Sequence, residues 1–261
     1  MEQIIFKNFK YKIFIFCLVF LLSSEIIAES NKVSKFIKRE INECINCDLS
    51  NLNFKHVDLT NANMSGSLLI NTNFHRAILR GANFANAEIV GANFNKTDLI
   101  KANFDDAQIT NTMFYGANIS KSSFKNALLD SVRSQKAVYT GSNLENISIK
   151  NSYFNEVQLA SSNLSNSKFS NSNFEDANFQ KSNFTYVESF RIVFSKTNFR
   201  KADLSHAKFI KTDFFKSRVR EAILYDTYFQ DTNLLSAKFY KSDTSNVSYK
   251  NCILPSGEHL K

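Results

Sequence analysis

The chain has 261 residues, enough for one large or two small domains. Its formal net charge of +8 favours solubility and a mild attraction to anionic partners, and does not by itself indicate nucleic-acid binding. Trp is absent, Pro occurs once and Gly six times, while Phe occurs 26 times. Gly and Pro are scarce for a chain that turns as often as this one is expected to, so its turns fall to Asn, Asp, Ser and Lys.

The first 28 residues stand apart. Lys7, Lys10 and Lys12 precede an uninterrupted apolar run from Ile13 to Leu22, followed by Ser23, Ser24, Glu25 and a cleavage site after Ala28. This pattern predicts a secretory signal peptide over 1–28. The run is short of the roughly 20 residues that span a bilayer, although a retained membrane anchor is the alternative. Cys17 lies mid-run with apolar residues after it, which argues against a lipoprotein anchor. Cleavage would remove three Lys and two Glu and leave a mature charge of +7. Residues 29–46 form the next segment. Within it Val33, Phe36, Ile37 and Ile41 recur at helical spacing among Lys32, Lys35, Lys38 and Arg39. The spacing predicts a short amphipathic helix over Asn31 to Glu43, lying across the open N-terminal end of the main body of the chain, with a membrane-surface helix as the alternative.

From Cys47 to Leu254 the chain repeats with a period of five. Every fifth residue from Leu49 to Leu254 is apolar or Tyr, except Ser134, Ser189 and Thr244. Two positions earlier sit small residues, such as Ala62, Ser67, Thr72, Ala77 and Ala82. Between the two, Asn or Asp dominates, as at Asn83, Asn93, Asp98 and Asn103. On an α-helix a step of five rotates a side chain by about 140°. On a flat strand an odd step flips it to the other side. Either choice would leave half of the Phe residues in water. A short extended piece, a corner and another extended piece keep them all on one axis, with the Asn or Asp pointing out. Between Phe74 and Leu129 the central residue alternates between Phe and Leu or Ile. Four sides stack Phe on Phe in successive coils and three sides would not, so the alternation favours four. At ~4.8 Å per coil, about ten coils give a rod on the order of 50 Å long. Residues 255–261 are a short polar tail after Pro255. This poorly capped end invites a homodimer, which a monomer in analytical ultracentrifugation at high concentration would refute.

The runs GANFANAEIVGANFNKTDLIKANF and SKTNFRKADLSHAKF resemble the pentapeptide-repeat family, whose motif is A(D/N)LXX. The likeness covers about Cys47 to Leu254 in an unbroken register. It implies an all-β fold, a right-handed quadrilateral β-helix with about 20 residues per coil. The crowding of Phe and the frequent Ser or Thr two positions before the central residue are departures from the motif. Some members of the family bind DNA gyrase as mimics of duplex DNA. That role of a gyrase-protecting, topoisomerase-binding protein requires a strongly acidic surface and a cytoplasmic address, whereas this chain is basic and its first 28 residues predict export.

No catalytic constellation is evident. The chain has no Gly-rich phosphate loop and no nucleophile elbow, and a rod filled by its own side chains offers no cleft for a small-molecule substrate. Cys44 and Cys47 flank the first corner, where Cα atoms three apart come within the span of a disulfide. An oxidised pair locking that corner is the preferred reading, two reduced core cysteines the alternative. His56, His75 and His206 fall at corners, as do the acidic pairs Asp105–Asp106 and Glu175–Asp176. With no pocket around them these groups carry no acid–base expectation, and no cofactor or metal is implied.

Residues 20 apart should stack in columns. Two neighbouring corners and the side between them then collect Arg76, Arg80, Lys96, Lys101, Lys121, Lys136, Lys181, Lys196, Arg200, Lys201, Lys216, Arg220 and Lys241, with Arg218 and Lys238 on the same side. Glu156 and Asp176 interrupt this stripe. The other two corners are largely Asn. The basic side is the candidate face for an anionic partner or an unidentified protein; the bland alternative is that it serves solubility alone. The expectation is a non-enzymatic, exported rod, periplasmic or secreted from a bacterium, with an exported host-directed effector as a further alternative.

Overall fold

The computed structural model describes residues 28–260. The expected signal peptide, apart from its last residue, lies outside the described residues. Described residues 28–37 are helical (α1). Ten three-residue strands follow at intervals of 20 residues, from β1 (Leu68–Ile70) and β2 (Glu88–Val90) to β10 (Ser248–Lys250). They form one parallel ladder in sequence order. The other three sides are built from single bridges with the same offset, for example Asn63↔Asn83, Asn73↔Asn93 and Ile78↔Asp98. Partners in these parallel ladders are 20 residues apart and four bridge columns run along the chain, so the solenoid has four sides.

The corners explain the period. Every fifth residue from Asn46 to Asn251 has φ between 48° and 70°. Left-handed geometry costs an ordinary L-residue free energy, and Asn or Gly least. Asn fills many of these sites; Lys, His, Glu and Tyr occupy others. The Asn or Asp before each central residue has a separate task. Asn83 Oδ1 accepts the backbone N–H of Ala85, two residues on, at 3.1 Å, and Asn53, Asn93, Asn103 and Asp203 make the same bond. These bonds hold the corner backbone.

Three corners in most coils close with a backbone bond across the turn, as Ala62 N–H does to Leu59 O at 3.0 Å. The corner after each strand of the long ladder lacks it. There hydroxyls substitute: Val132 N–H donates to Ser152 Oγ and Ser152 N–H to Ser172 Oγ, both at 3.0 Å. Ser and Thr at the small position also donate back to the coil below, as Thr72 does to Leu49 O and Ser162 to Tyr139 O. The departure from alanine thus has a hydrogen-bonding cause.

The central residues fill the axis. Phe74, Phe94 and Phe114 stack at centroid distances of 4.8 and 5.0 Å, and Phe84, Phe104 and Phe124 at 4.7 and 4.6 Å. The two columns meet edge to face across the axis, with Phe84 and Phe94 at 5.7 Å and 89°. Both are the preferred arrangements of aromatic rings. The polar exceptions have distinct settings. Ser134 and Tyr139 are both fully buried, and their oxygens lie 2.8 Å apart. Ser189 shares a coil with Phe174, Phe179 and Phe184, taking the fourth side as a small residue, and its buried hydroxyl has no partner. Thr244 lies exposed in the last coil.

At the N-terminal end Phe36 is buried and meets the ring of Phe54 edge-on at 6.0 Å. Val33 and Ile41 pack against the same core. Lys32 Nζ donates to Ile45 O at 2.8 Å. The helix is shorter than the 31–43 spacing suggested. It ends at residue 37, Arg39 turns left-handed with φ 63°, and Ile37 is 47% exposed. The ladder takes over earlier than Cys47: Glu43 already pairs with Asn63. Cys44 and Cys47 are joined by a disulfide across this first corner, with Cα atoms 5.4 Å apart. At the other end residues 255–261 are more than a loose tail, because β11 (Cys252–Ile253) pairs antiparallel with β12 (His259–Leu260).

The Ser134–Tyr139 pair gives a test of core satisfaction. Ser134→Ala or Tyr139→Phe alone strands one buried hydroxyl and should cost about 1–3 kcal/mol. The double variant should cost less than the sum of the two in chemical denaturation; strict additivity would show that the bond contributes nothing.

Candidate interaction faces

The inward positions are committed to packing, so chemistry is confined to the outward positions of each five. Successive coils place these in columns one strand spacing apart, ~4.8 Å. Such a lattice can hold several like groups at fixed separation, and it leaves the central channel filled by side chains. Among the described residues no group of three His, Cys, Asp or Glu could hold a metal ion, and no helix is long and apolar enough to cross a membrane.

All 13 basic residues named from the sequence are exposed and lie along the one side and its two bounding corners. The structure divides them by their partners. Arg80 pairs with Asp98 at 2.6 Å and Lys136 with Glu156 at 3.7 Å. Lys196 bridges Glu175 at 2.8 Å and Asp176 at 3.9 Å. The Glu175 contact, aided by the charge of Asp176, pushes the Lys196 ammonium above its ordinary pKa. Arg200 and Lys201 share Glu221, at 2.9 and 3.3 Å. Hydrogen bonding from Arg200 first, and from Lys201, holds the Glu221 carboxyl below its usual range. The acids that interrupt the stripe therefore neutralise its middle.

Among the described residues Arg76, Lys96, Lys101, Lys121, Lys181, Lys216, Arg220 and Lys241 have no ion pair. The same holds for Arg218 and Lys238. Those two stand directly opposite each other on adjacent coils, in register. A shallow groove near this end of the rod is lined by Arg200, Arg218, Arg220, Glu221, Tyr240 and Lys241. Tyr240 is 62% exposed, with the Arg220 guanidinium 5.6 Å and the Lys241 ammonium 5.4 Å from its ring centroid. The columns of the sequence place each of these residues on the side, and the reach of long side chains between coils decides which cations are neutralised.

The other acidic and histidine corner groups lie against neighbours on adjacent coils. Asp105 accepts from Ser123 Oγ and the Lys125 backbone, and Asp106 from Asn126. His56 and His75 meet edge-on at 6.3 Å; partial burial, with the charge of Arg76 next, lowers the His75 pKa. His206 stacks on Tyr186 at 4.6 Å, with Nδ1 3.5 Å from Asp226. The Asn corners form partial amide ladders, with Asn146 donating to Asn126 at 3.2 Å and Asn126 to Asp106 at 3.0 Å.

The family model described as "Pentapeptide repeat region" matches residues 65–134 and 92–164, and that described as "Pentapeptide repeats (8 copies)" matches 152–187 and 191–214. The chain belongs to the pentapeptide-repeat family. Similar solved structures include HetL, a pentapeptide repeat protein involved in heterocyst differentiation regulation from the cyanobacterium Nostoc. It is 19% identical, with 84% of this chain and 91% of that one covered and a TM-score of 0.40. A pentapeptide repeat protein of the Arabidopsis thaliana thylakoid lumen is 25% identical, with coverages of 41% and 68% and a TM-score of 0.30. Full-length QnrB1, a plasmid-mediated fluoroquinolone resistance protein, is 15% identical, with coverages of 80% and 94% and a TM-score of 0.35. No curated protein matches the chain.

Glu221 is the carboxylate that masks two cations of the side at once. Glu221→Gln should free Arg200 and Lys201 and raise the salt concentration needed to elute the protein from an anionic matrix. Exposed ion pairs contribute little to stability, so the unfolding midpoint should hardly move. Elution at unchanged salt would show that these two cations are not part of the binding face.

Proposed function

We propose that this pentapeptide-repeat protein is a non-enzymatic interaction rod, exported from the cell that makes it, whose basic side docks an anionic partner. The observation that carries the reading is the concentration of unpaired, exposed cations (Arg76, Lys96, Lys101, Lys121, Lys181, Lys216, Arg218, Arg220, Lys238 and Lys241) on one flat side and its two corners, in a rigid lattice whose interior is filled. Long-range attraction between such a side and a polyanion raises encounter rates and orients the rod, and it weakens with salt.

The competing role as a duplex-DNA mimic that protects a topoisomerase calls for an acidic surface. The charge here has the opposite sign. An effector acting on another cell would share the same rod and differ only in where export ends.

Retention on an anionic matrix tests the binding side. The parent protein should be retained and released by salt, and the variant with Lys101, Lys121, Lys181 and Lys201 all changed to Glu should elute far earlier. Unchanged retention would remove the reading. Cell fractionation tests the address: recovery in the cytoplasm, with residues 1–28 still attached, would overturn export.

A further inference from the structure

The positive charge of the rod is gathered at one end of the basic side. Segments 196–201, 216–221 and 236–241 hold eight Lys or Arg and one carboxylate, Glu221, with Lys196 reaching back to Glu175 and Asp176. In the three preceding coils of the same side, segments 136–141, 156–161 and 176–181 hold two cations, Lys136 and Lys181, and two acids, Glu156 and Asp176. The neighbouring sides of the last coils carry acids, among them Asp203, Asp213 and Asp243, so the excess is confined to one plane.

Three features of this end point to a ligand. Arg218 and Lys238 are paired in register with no carboxylate between them, an arrangement that destabilises a β-ladder. Arg218 and Arg220 project from the same side of one extended segment, roughly 6.6 Å apart along the backbone, and open onto the shallow groove. Tyr240 stands 62% exposed at its rim, flanked by Arg220 and Lys241.

We infer that this end of the basic side docks on the surface of an anionic lipid bilayer, with headgroup phosphates held by Arg218, Arg220, Lys238 and Lys241. The inference rests on the reading of the rod as an interaction module. The side of a four-cornered solenoid is flat, and a planar surface meets all of its cations at once, whereas a cylinder such as duplex DNA touches it along a line. The guanidinium fork matches phosphate oxygens two at a time. A Tyr ring beside cations suits the headgroup level, where its hydroxyl stays wet and its ring does not. Each Lys or Arg near an anionic bilayer strengthens partitioning about fivefold, so a cluster of this size suffices for salt-sensitive docking without an inserted helix.

The test uses the full chain with vesicles of phosphatidylcholine alone or mixed with phosphatidylglycerol. Cosedimentation with the mixed vesicles should exceed that with phosphatidylcholine at least about tenfold, given four to five unpaired cations. The increment should vanish in R218Q/R220Q/K238Q/K241Q and persist in K150Q/K250Q, two exposed cations of the opposite side. The quadruple variant loses the Arg218–Lys238 repulsion, so its thermal unfolding midpoint should not fall, which separates lost docking from lost folding. Equal binding to both vesicle types, or undiminished binding by the quadruple variant, would overturn the inference. Retention on heparin or duplex DNA without lipid-dependent cosedimentation would overturn docking on lipid and leave the anionic-partner reading standing. Loss of both would remove the two together.

Discussion

Burying every fifth side chain on one axis obliges the backbone to turn after every short extended piece, and each turn places one residue in left-handed geometry. The run of positive φ from Asn46 to Asn251 is the conformational cost of that demand. It is offset by parallel ladders on all four sides, by Asn and Asp oxygens that hold the corner N–H groups, and by stacked aromatic rings. Because each coil contacts only its neighbours, stability accumulates along the rod and its ends are its weak points. Phe36 covers one end. At the other, Phe239, Tyr249 and Leu254 remain partly exposed behind a two-stranded hairpin.

The same geometry separates interior from surface. The central residue and the one two before it point in, so Ser134 beside Tyr139, or Ser189 beside three phenylalanines, are local adjustments of packing with no outward trace. The outward positions are released from packing and can hold a charge pattern set by other demands. Along the basic side that pattern changes character. Ion pairs with Glu156, Asp176 and Glu221 neutralise part of it, while Arg218 and Lys238 stand opposed with no carboxylate between them.

Much of the protein was legible in its sequence because the fold is nearly one-dimensional. A period of five assigns every residue an inward or outward direction, and the alternation of Phe with Leu or Ile implies four sides, so columns 20 apart follow by arithmetic. Column membership of Arg76, Lys101 or Arg220 therefore comes from the register alone. The helix over the N-terminal end was less legible: the apolar spacing through Ile41 continued past residue 37, but Arg39 turns left-handed and leads the chain into the ladder at Glu43.

What the sequence by itself determined is the solenoid, its register and the side on which its positive charge lies, because backbone direction repeats with the period. Only the tertiary structure decided which cations meet a carboxylate, which of the four corners opens and recruits Ser and Thr hydroxyls, and how the two ends are closed. These depend on side chains reaching between coils and on terminal segments that have a neighbour on one side only, and neither is subject to the repeat.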